Sequence, residues 1–180
     1  AWKVAMPGPS AATPIILGDK VFVSSTDPKA KELLALCLDR RTGKEIWRQV
    51  VGEGYQLDNR SNYASPSPAT DGEVVTFFYG NGDLATFDLN GKKLWATKIQ
   101  AEENGFAFQW TFSTSPLLHD GVLYLQVLQR NTGVRGHGKA NGNKSYLLAL
   151  NPKPASNFGN TTALLMPKPK ASRPSARRCP

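Results

Sequence analysis

Ala85-Thr86-Phe87-Asp88-Leu89-Asn90-Gly91-Lys92-Lys93-Leu94-Trp95 repeats, in outline, the earlier run Leu36-Cys37-Leu38-Asp39-Arg40-Arg41-Thr42-Gly43-Lys44-Glu45-Ile46-Trp47. Each run reads as a strand, an Asp-led turn through a glycine, and a second strand carrying a Trp. Working outward, each is preceded by a small residue and Pro, a Gly/Asp turn and an apolar strand. In the first copy these are Thr13-Pro14, Gly18-Asp19 and Val21-Phe22-Val23; in the second, Ser67-Pro68, Asp71-Gly72 and residues 73–79. A third copy starts at Ser115-Pro116 and passes Asp120-Gly121 and Val122-Leu123-Tyr124. It reaches Leu148-Ala149-Leu150-Asn151 and breaks off before its Trp. Trp47 and Trp95 lie 48 residues apart, and Trp2 lies 45 before Trp47. Self-similarity at a fixed period of tens of residues marks a repeat architecture.

Each copy holds room for four short strands. In the second they fall at 67–70, 73–79, 83–89 and 93–99, separated by Asp71-Gly72, Asn81-Gly82 and Asn90-Gly91. Such dipeptides accept the positive φ of tight hairpins, and the intervening runs are rich in Val, Phe, Tyr, Leu and Thr, as strands are. A four-stranded meander cannot bury both faces by itself, and radial stacking of such sheets makes a β-propeller. A Trp fixed on each last strand would act as a flat apolar plug between neighbours. The expected fold class is therefore all-β. It is a partial β-propeller of about three four-stranded antiparallel blades, followed by an unstructured tail. The expected boundaries are 1–9 (end of a preceding blade), 10–51, 52–100, and 101–153 (an incomplete blade with a long loop at 130–143), with 154–180 as the tail.

These residues resemble the PQQ-like β-propeller repeat: a Ser-Pro start, an Asp-Gly turn, then Ala-Leu-Asp, Thr-Gly-Lys and Trp. The resemblance covers residues 1–153. It implies a propeller of about seven or eight blades, within the range for the architecture, of which this chain, opening at Ala1 in mid-strand, reads as a fragment. It also implies an exported, extracytoplasmic protein.

Residues 154–180 depart from the pattern, with five basic residues, no acidic ones and five prolines. As printed they suit a disordered basic tail. They are also compatible with a shifted reading frame. Restoring one base after the Lys153 codon permits TGKQLWKHNRPSDAEAESLEAFSTPVP, which supplies the missing fourth strand, its Trp and the next Ser-Thr-Pro start. Sequencing the locus tests this expectation.

The formal net charge of +8 would suggest anionic partners. The tail contributes +5 of it, and residues 1–153 carry 17 basic and 14 acidic side chains, or +3. The body shows no RNA-binding, zinc-finger or helix-turn-helix pattern, so nucleic-acid binding is not expected. No apolar run approaches the ~20 residues of a membrane helix. Cys37 lies in an apolar strand and reads as an inert core residue. Cys179 lies in the tail.

The candidate sites each have a plainer explanation. Gly133-Val134-Arg135-Gly136-His137-Gly138-Lys139-Ala140 comes within one residue of a phosphate-binding loop. Ala140, however, replaces the magnesium-binding hydroxyl, and the flanking segments are both strand-like. The expectation is an inter-strand loop suited to partner contact. His119 and His137 are the only histidines, too few for a zinc site without a Cys/His cluster. No G-x-S-x-G elbow supports hydrolysis. Glu102-Glu103 reads as a solvated loop pair. The aromatic run 105–112 reads as inter-blade packing, with lining of a pocket as the alternative. Asn59-Arg60-Ser61 and Asn143-Lys144-Ser145 match glycosylation sequons. Asp39 and Asp88 belong to the repeat, where they are expected to cap the turns before Gly43 and Gly91.

Quinoprotein dehydrogenases carry a vicinal Cys-Cys pair, an Asp base and calcium held by acidic and amide side chains. None of these carries over residue by residue. No catalytic, cofactor-binding or metal residue is therefore assigned, and PQQ and calcium belong only to the alternative below. The expected function is a non-catalytic, exported scaffold or binding domain that engages a protein or small ligand through its loops. The alternative is a fragment of a PQQ-dependent alcohol or sugar dehydrogenase. Sheets left open at the end of a stack also predict self-association.

Overall fold

The computed structural model describes residues 1–57, 61–99, 105–108 and 111–153. Those residues form three antiparallel sheets and no helix, in an open arrangement. The first sheet contains β1 (Ile15–Leu17), β2 (Lys20–Asp27), β3 (Glu32–Asp39) and β4 (Glu45–Glu53), in that order. The second contains β5 (Ala69–Thr70), β6 (Val74–Phe78), β7 (Asp83–Asp88) and β8 (Lys93–Lys98). The third has three strands, β9 (Leu117–His119), β10 (Val122–Val127) and β11 (Tyr146–Leu150), with β10 in the middle. This is the partial propeller that the repeat implies, with its third unit one strand short among the described residues. The expected tail lies outside the described residues.

The Asp of each of the first two copies closes the turn between the third and fourth strands. Asp39 accepts from the Arg41 and Thr42 amides at 3.0 and 2.7 Å and from the Thr42 hydroxyl at 2.7 Å. Asp88 accepts from the Asn90 and Lys92 amides. The Thr42 hydroxyl, the Thr42 amide and the Arg41 amide hold the Asp39 carboxyl below its ordinary range, against slight desolvation. The strand that follows bulges at the same place in both copies. Trp47 faces Cys37 and Glu45 faces Leu38, which leaves Ile46 unpaired; Trp95 faces Thr86 and Lys93 faces Phe87, which leaves Leu94 unpaired. A bulge bends a strand and re-aims its side chains, and here the residue that follows it is the Trp.

Alternating residues send opposite faces of each strand to different neighbours. Phe22, Ala35, Cys37 and Trp47 of the first sheet pack on Val75, Phe77, Ala85 and Phe87 of the second. Val74, Phe78 and Leu84 pack on Leu118, Leu123, Leu125, Leu148 and Leu150 of the third. Trp47 is the wedge of the first interface. Its ring lies 5.9 Å from Phe22 and Phe87 and 6.2 Å from Phe77, and its indole N–H donates to the Leu89 carbonyl at 3.2 Å. Gly91, at φ +89°, makes room for it: a Cβ there would sit 2.8 Å from the indole.

Two further contacts repeat from sheet to sheet. The Thr13 amide donates to the Ser67 hydroxyl at 2.8 Å, and the Ser67 amide donates to the Ser115 hydroxyl at 3.0 Å. Each donor stands directly before the Pro of its own copy, so the Ser-Pro start is an inter-sheet hydrogen-bond ladder. Near the Asp turns, Lys20 Nζ donates to the Leu89 carbonyl at 2.6 Å, and Lys153 pairs with Glu73 in the corresponding place between the second and third sheets.

Candidate functional site

Loops at the end of the second and third sheets opposite the Asp turns line an open cavity of about 440 Å³. Five stretches build it. The β4–β5 connection brings Gln56 and Tyr63, and the β6–β7 turn brings Gly80 and Asn81. Lys98 and Ile99 close β8. The β8–β9 connection brings Gly105, Phe106, Phe108 and Thr111, and the β10–β11 loop brings His137.

Backbone bonds fix these loops to one another. The Gly80 amide donates to the Tyr63 carbonyl at 2.7 Å, and the Phe112 amide to the Gly80 carbonyl at 3.1 Å. The Ile99 amide donates to the Gly82 carbonyl at 2.8 Å, and the Thr111 hydroxyl to the Asn62 carbonyl at 3.3 Å. At Gly82, where φ is +93°, an added Cβ would strike the Ile99 carbonyl, so glycine is required there.

The aromatic wall is closely packed. Phe106 and Phe108 stack at 4.9 Å, and both meet Phe112 edge-on, at 5.5 and 4.7 Å. Phe112 in turn meets Phe78 edge-on at 4.7 Å, which ties the wall to the core. The polar side is partly neutralised: Lys98 pairs with Asp83 at 3.2 Å, and Asn81 Nδ2 donates to the same carboxylate at 2.7 Å. His137 lies against Gly105. Aromatic faces beside amides, a histidine and a paired lysine make a surface that can bind and orient an amphipathic group. Among the described residues that line it, no nucleophile has an adjacent base. Among the described residues no three His, Cys, Asp or Glu side chains come together as a metal site.

The other sequence candidates separate. Residues 133–140 form a turn with a Val134–His137 bridge between two strands, so the phosphate-loop context is absent. His119 is exposed at the end of β9, beside the Asp120 carboxylate. Asn143 anchors the β10–β11 loop, donating to the Asn131 and Lys139 carbonyls at 3.2 and 3.0 Å, so its amide is structurally engaged. Asn59, Arg60, Glu102, Glu103, Gln109, Trp110 and Cys179 lie outside the described residues. The aromatic run serves both readings: Phe112 is core, while Phe106 and Phe108 also line the cavity. Sequence reasoning missed Gln56, Asn81 and Lys98, which come together only through loop geometry. It also left the Ser67–Ser115 ladder unread, although their 48-residue spacing was its signal.

Cys37 is a free thiol with no exposure, and burial pushes it up to about 11. No helix of the described residues is long and apolar enough to cross a membrane.

A family model described as "Outer membrane protein assembly factor BamB" matches residues 1–134. Among solved structures the chain is similar to BamB from Moraxella catarrhalis, at 21% identity and a TM-score of 0.52. That match covers 83% of this chain and 39% of the other. It is also similar to a europium-containing methanol dehydrogenase, at 18% identity and a TM-score of 0.53, covering 78% of this chain and 22% of the other. At these identities the likeness is one of fold. Comparison with curated proteins finds no match.

Proposed function

The chain belongs to the PQQ-like repeat family described as outer membrane protein assembly factor BamB, and from that premise we propose that it is part of a non-catalytic, extracytoplasmic propeller scaffold. In this reading it holds a protein segment or small ligand against its loops, at the cavity between the second and third sheets. One observation carries the proposal. The residues that define the repeat are occupied in packing: Trp47 on Gly91, Asp39 and Asp88 in turns, Ser67 and Ser115 in the ladder. What remains concave at the loop end is aromatic and polar, with no reactive pair among the described residues.

The similarity to a methanol dehydrogenase gives the alternative a definite form, in which the chain is one part of a quinoprotein and PQQ and calcium are held elsewhere. Two measurements separate the readings. A photo-crosslinking side chain at position 106 should capture a partner in an extracytoplasmic fraction, and Lys98→Glu should weaken that capture. Adding PQQ and calcium to the full-length protein that carries this segment should produce no dye-linked alcohol oxidation and no quinone absorbance shift, whereas the quinoprotein reading expects both. Alcohol oxidation, or crosslinking no stronger at 106 than at exposed Ile16, would overturn the scaffold reading.

A further inference from the structure

One loop of this protein is far longer than its counterparts and carries charge of one sign. Residues 28–31 join β2 to β3 and residues 79–82 join β6 to β7, but residues 128–145 join β10 to β11. The long loop holds Arg130, Arg135, His137, Lys139 and Lys144 and no carboxylate. All five of these residues are exposed. Over residues 105–153 the single carboxylate side chain is Asp120, in the β9–β10 turn at the other end of the sheet.

Hydrogen bonds shape this loop and hold it over the cavity. At its neck the Gln129 amide donates to the Ser145 hydroxyl at 2.9 Å, and that hydroxyl donates to the Gln129 carbonyl at 3.2 Å. Gln129 Nε2 donates to the Lys144 carbonyl at 2.9 Å. Arg130 and Lys144 therefore flank the neck, one on each arm. Neither forms an ion pair with a described carboxylate. Further out, the Asn143 amide donates to the Asn131 carbonyl at 3.3 Å, and Val134 and His137 exchange amide-to-carbonyl bonds of 2.9 Å. The tip is Arg135-Gly136, at φ +51° and +83°. This is the backbone of a two-residue hairpin turn, in which Asn, Asp or Gly is the easier first residue. Ala107, between the two lining phenylalanines, ties the loop to the cavity. The Arg130 amide donates to its carbonyl at 3.0 Å, its own amide donates to Gln129 Oε1 at 3.1 Å, and Gly138 packs on its methyl. His137 is itself part of the lining.

Resting on the scaffold reading above, we propose that the cavity takes an acidic polypeptide segment with one large aromatic side chain, and that the β10–β11 loop supplies the charge that selects it. The segment's ring meets Phe106 and Phe108, and its backbone meets the amides of Gln56 and Asn81. Its carboxylates face the loop. No carboxylate is among the described residues that line the cavity, and Asp83 is already held by Lys98 and Asn81. Like charges side by side at the neck repel one another, and an incoming carboxylate relieves them. Arg130 and Arg135 are five positions apart, up to about 17 Å of chain, so the positive charge runs along a segment instead of gathering on one anionic headgroup. Between 129 and 145 no large apolar side chain is exposed among the described residues, so the loop has nothing to enter a bilayer.

Fluorescence anisotropy of labelled peptides on the full-length protein that carries this segment tests the proposal. Glu-Asp-Phe-Asp-Glu should bind. Glu-Asp-Ala-Asp-Glu should bind about tenfold more weakly for want of the ring, and Gln-Asn-Phe-Asn-Gln about tenfold more weakly for want of the charge. Raising the salt to about 0.5 M should weaken the acidic peptide and leave the neutral one unchanged. The double variant Arg130→Glu/Lys144→Glu, at two exposed positions, should weaken the acidic peptide about tenfold with circular dichroism unchanged. Lys29→Glu/Lys44→Glu makes the same change in net charge away from the cavity and should leave binding as it was. A neutral peptide that binds as tightly as the acidic one overturns the inference, as does an acidic peptide indifferent to the loop substitutions. Absence of peptide binding while position 106 still captures a partner overturns this inference alone; absence of both overturns the scaffold reading with it. Binding to phosphatidylglycerol vesicles that is lost in the loop variant, without peptide binding, would assign the loop to a membrane surface and overturn the inference.

Discussion

Single side chains in this protein do their work by ending strands and filling gaps. Asp27, Asp39 and Asp71 each accept two backbone amides within their turns, and each carboxyl is lowered from its ordinary value. At Asp71, partial burial is the largest single effect and pulls the other way, and the Val74 and Glu73 amides together with the Lys153 charge and Asp71's own amide outweigh it. A lowered carboxyl binds fewer protons in the folded than in the unfolded chain, so its contribution is present above about pH 4 and is lost as pH falls through the folded value. Chemical denaturation between pH 6 and 2.5 should show stability dropping below about pH 4. Asp39→Asn should flatten part of that drop; an unchanged pH slope would show that this turn contributes nothing. Cys37 has the opposite sign. Its neutral form is favoured by the fold, so its contribution is complete below about 9 and disappears as pH rises through about 11. A thiol reagent at pH 8 should label Cys37 only at the rate of unfolding, because the side chain has no exposure. Rapid labelling of the native chain would place Cys37 outside the core.

Among elements, the Ser-Pro start and the Trp strand decide how sheets join. Ser67→Ala removes the acceptor for the Thr13 amide at 2.8 Å, and Ser115→Ala removes the acceptor for Ser67. Each should cost about 1 kcal/mol, the net worth of a hydrogen bond, and somewhat more where the amide is left without water. Equal costs at the two sites, read from urea midpoints, would mark a repeating ladder; a cost at only one would mark a local bond. These elements differ in how openly the sequence announces them. The strand runs, the three glycine turns of the second copy and the Trp spacing are written in local composition, and β5–β8 fall within the expected 67–99. The bulge before each Trp was not legible, since Ile46 and Leu94 read as ordinary strand residues. It appears only when the register against β3 and β7 is seen. The cavity was half legible: the aromatic run pointed to Phe106 and Phe108. Gln56, Asn81 and Lys98 join them from two separate loops and the end of β8, and no spacing in the chain records that meeting.

The whole molecule is a stack whose stability resides in its interfaces. The first sheet meets the second around Trp47, and the second meets the third around Phe78, Leu84 and Phe112. Trp47→Ala should cost about 3–5 kcal/mol, as large-to-small changes of buried aromatics do, and it should separate the first sheet from the rest. Native-state hydrogen exchange would then show β2 and β3 losing protection before β6 and β7. Uniform loss would mean that the sheets do not unfold as separable units.

The stacking account rests on one repeated device, a Trp from one unit seated on the turn glycine of the next, and a double-mutant cycle tests it most directly. Gly91→Ala places a Cβ 2.8 Å from the Trp47 ring, so in the wild-type background it should cost about 1–3 kcal/mol by crowding and by strain at positive φ. In a Trp47→Ala background the crowding vanishes, and the same substitution should cost clearly less, giving a coupling above about 0.5 kcal/mol. The cycle of Trp2 with Gly43 should couple with the same sign. Additive costs at both pairs would contradict the stacking account.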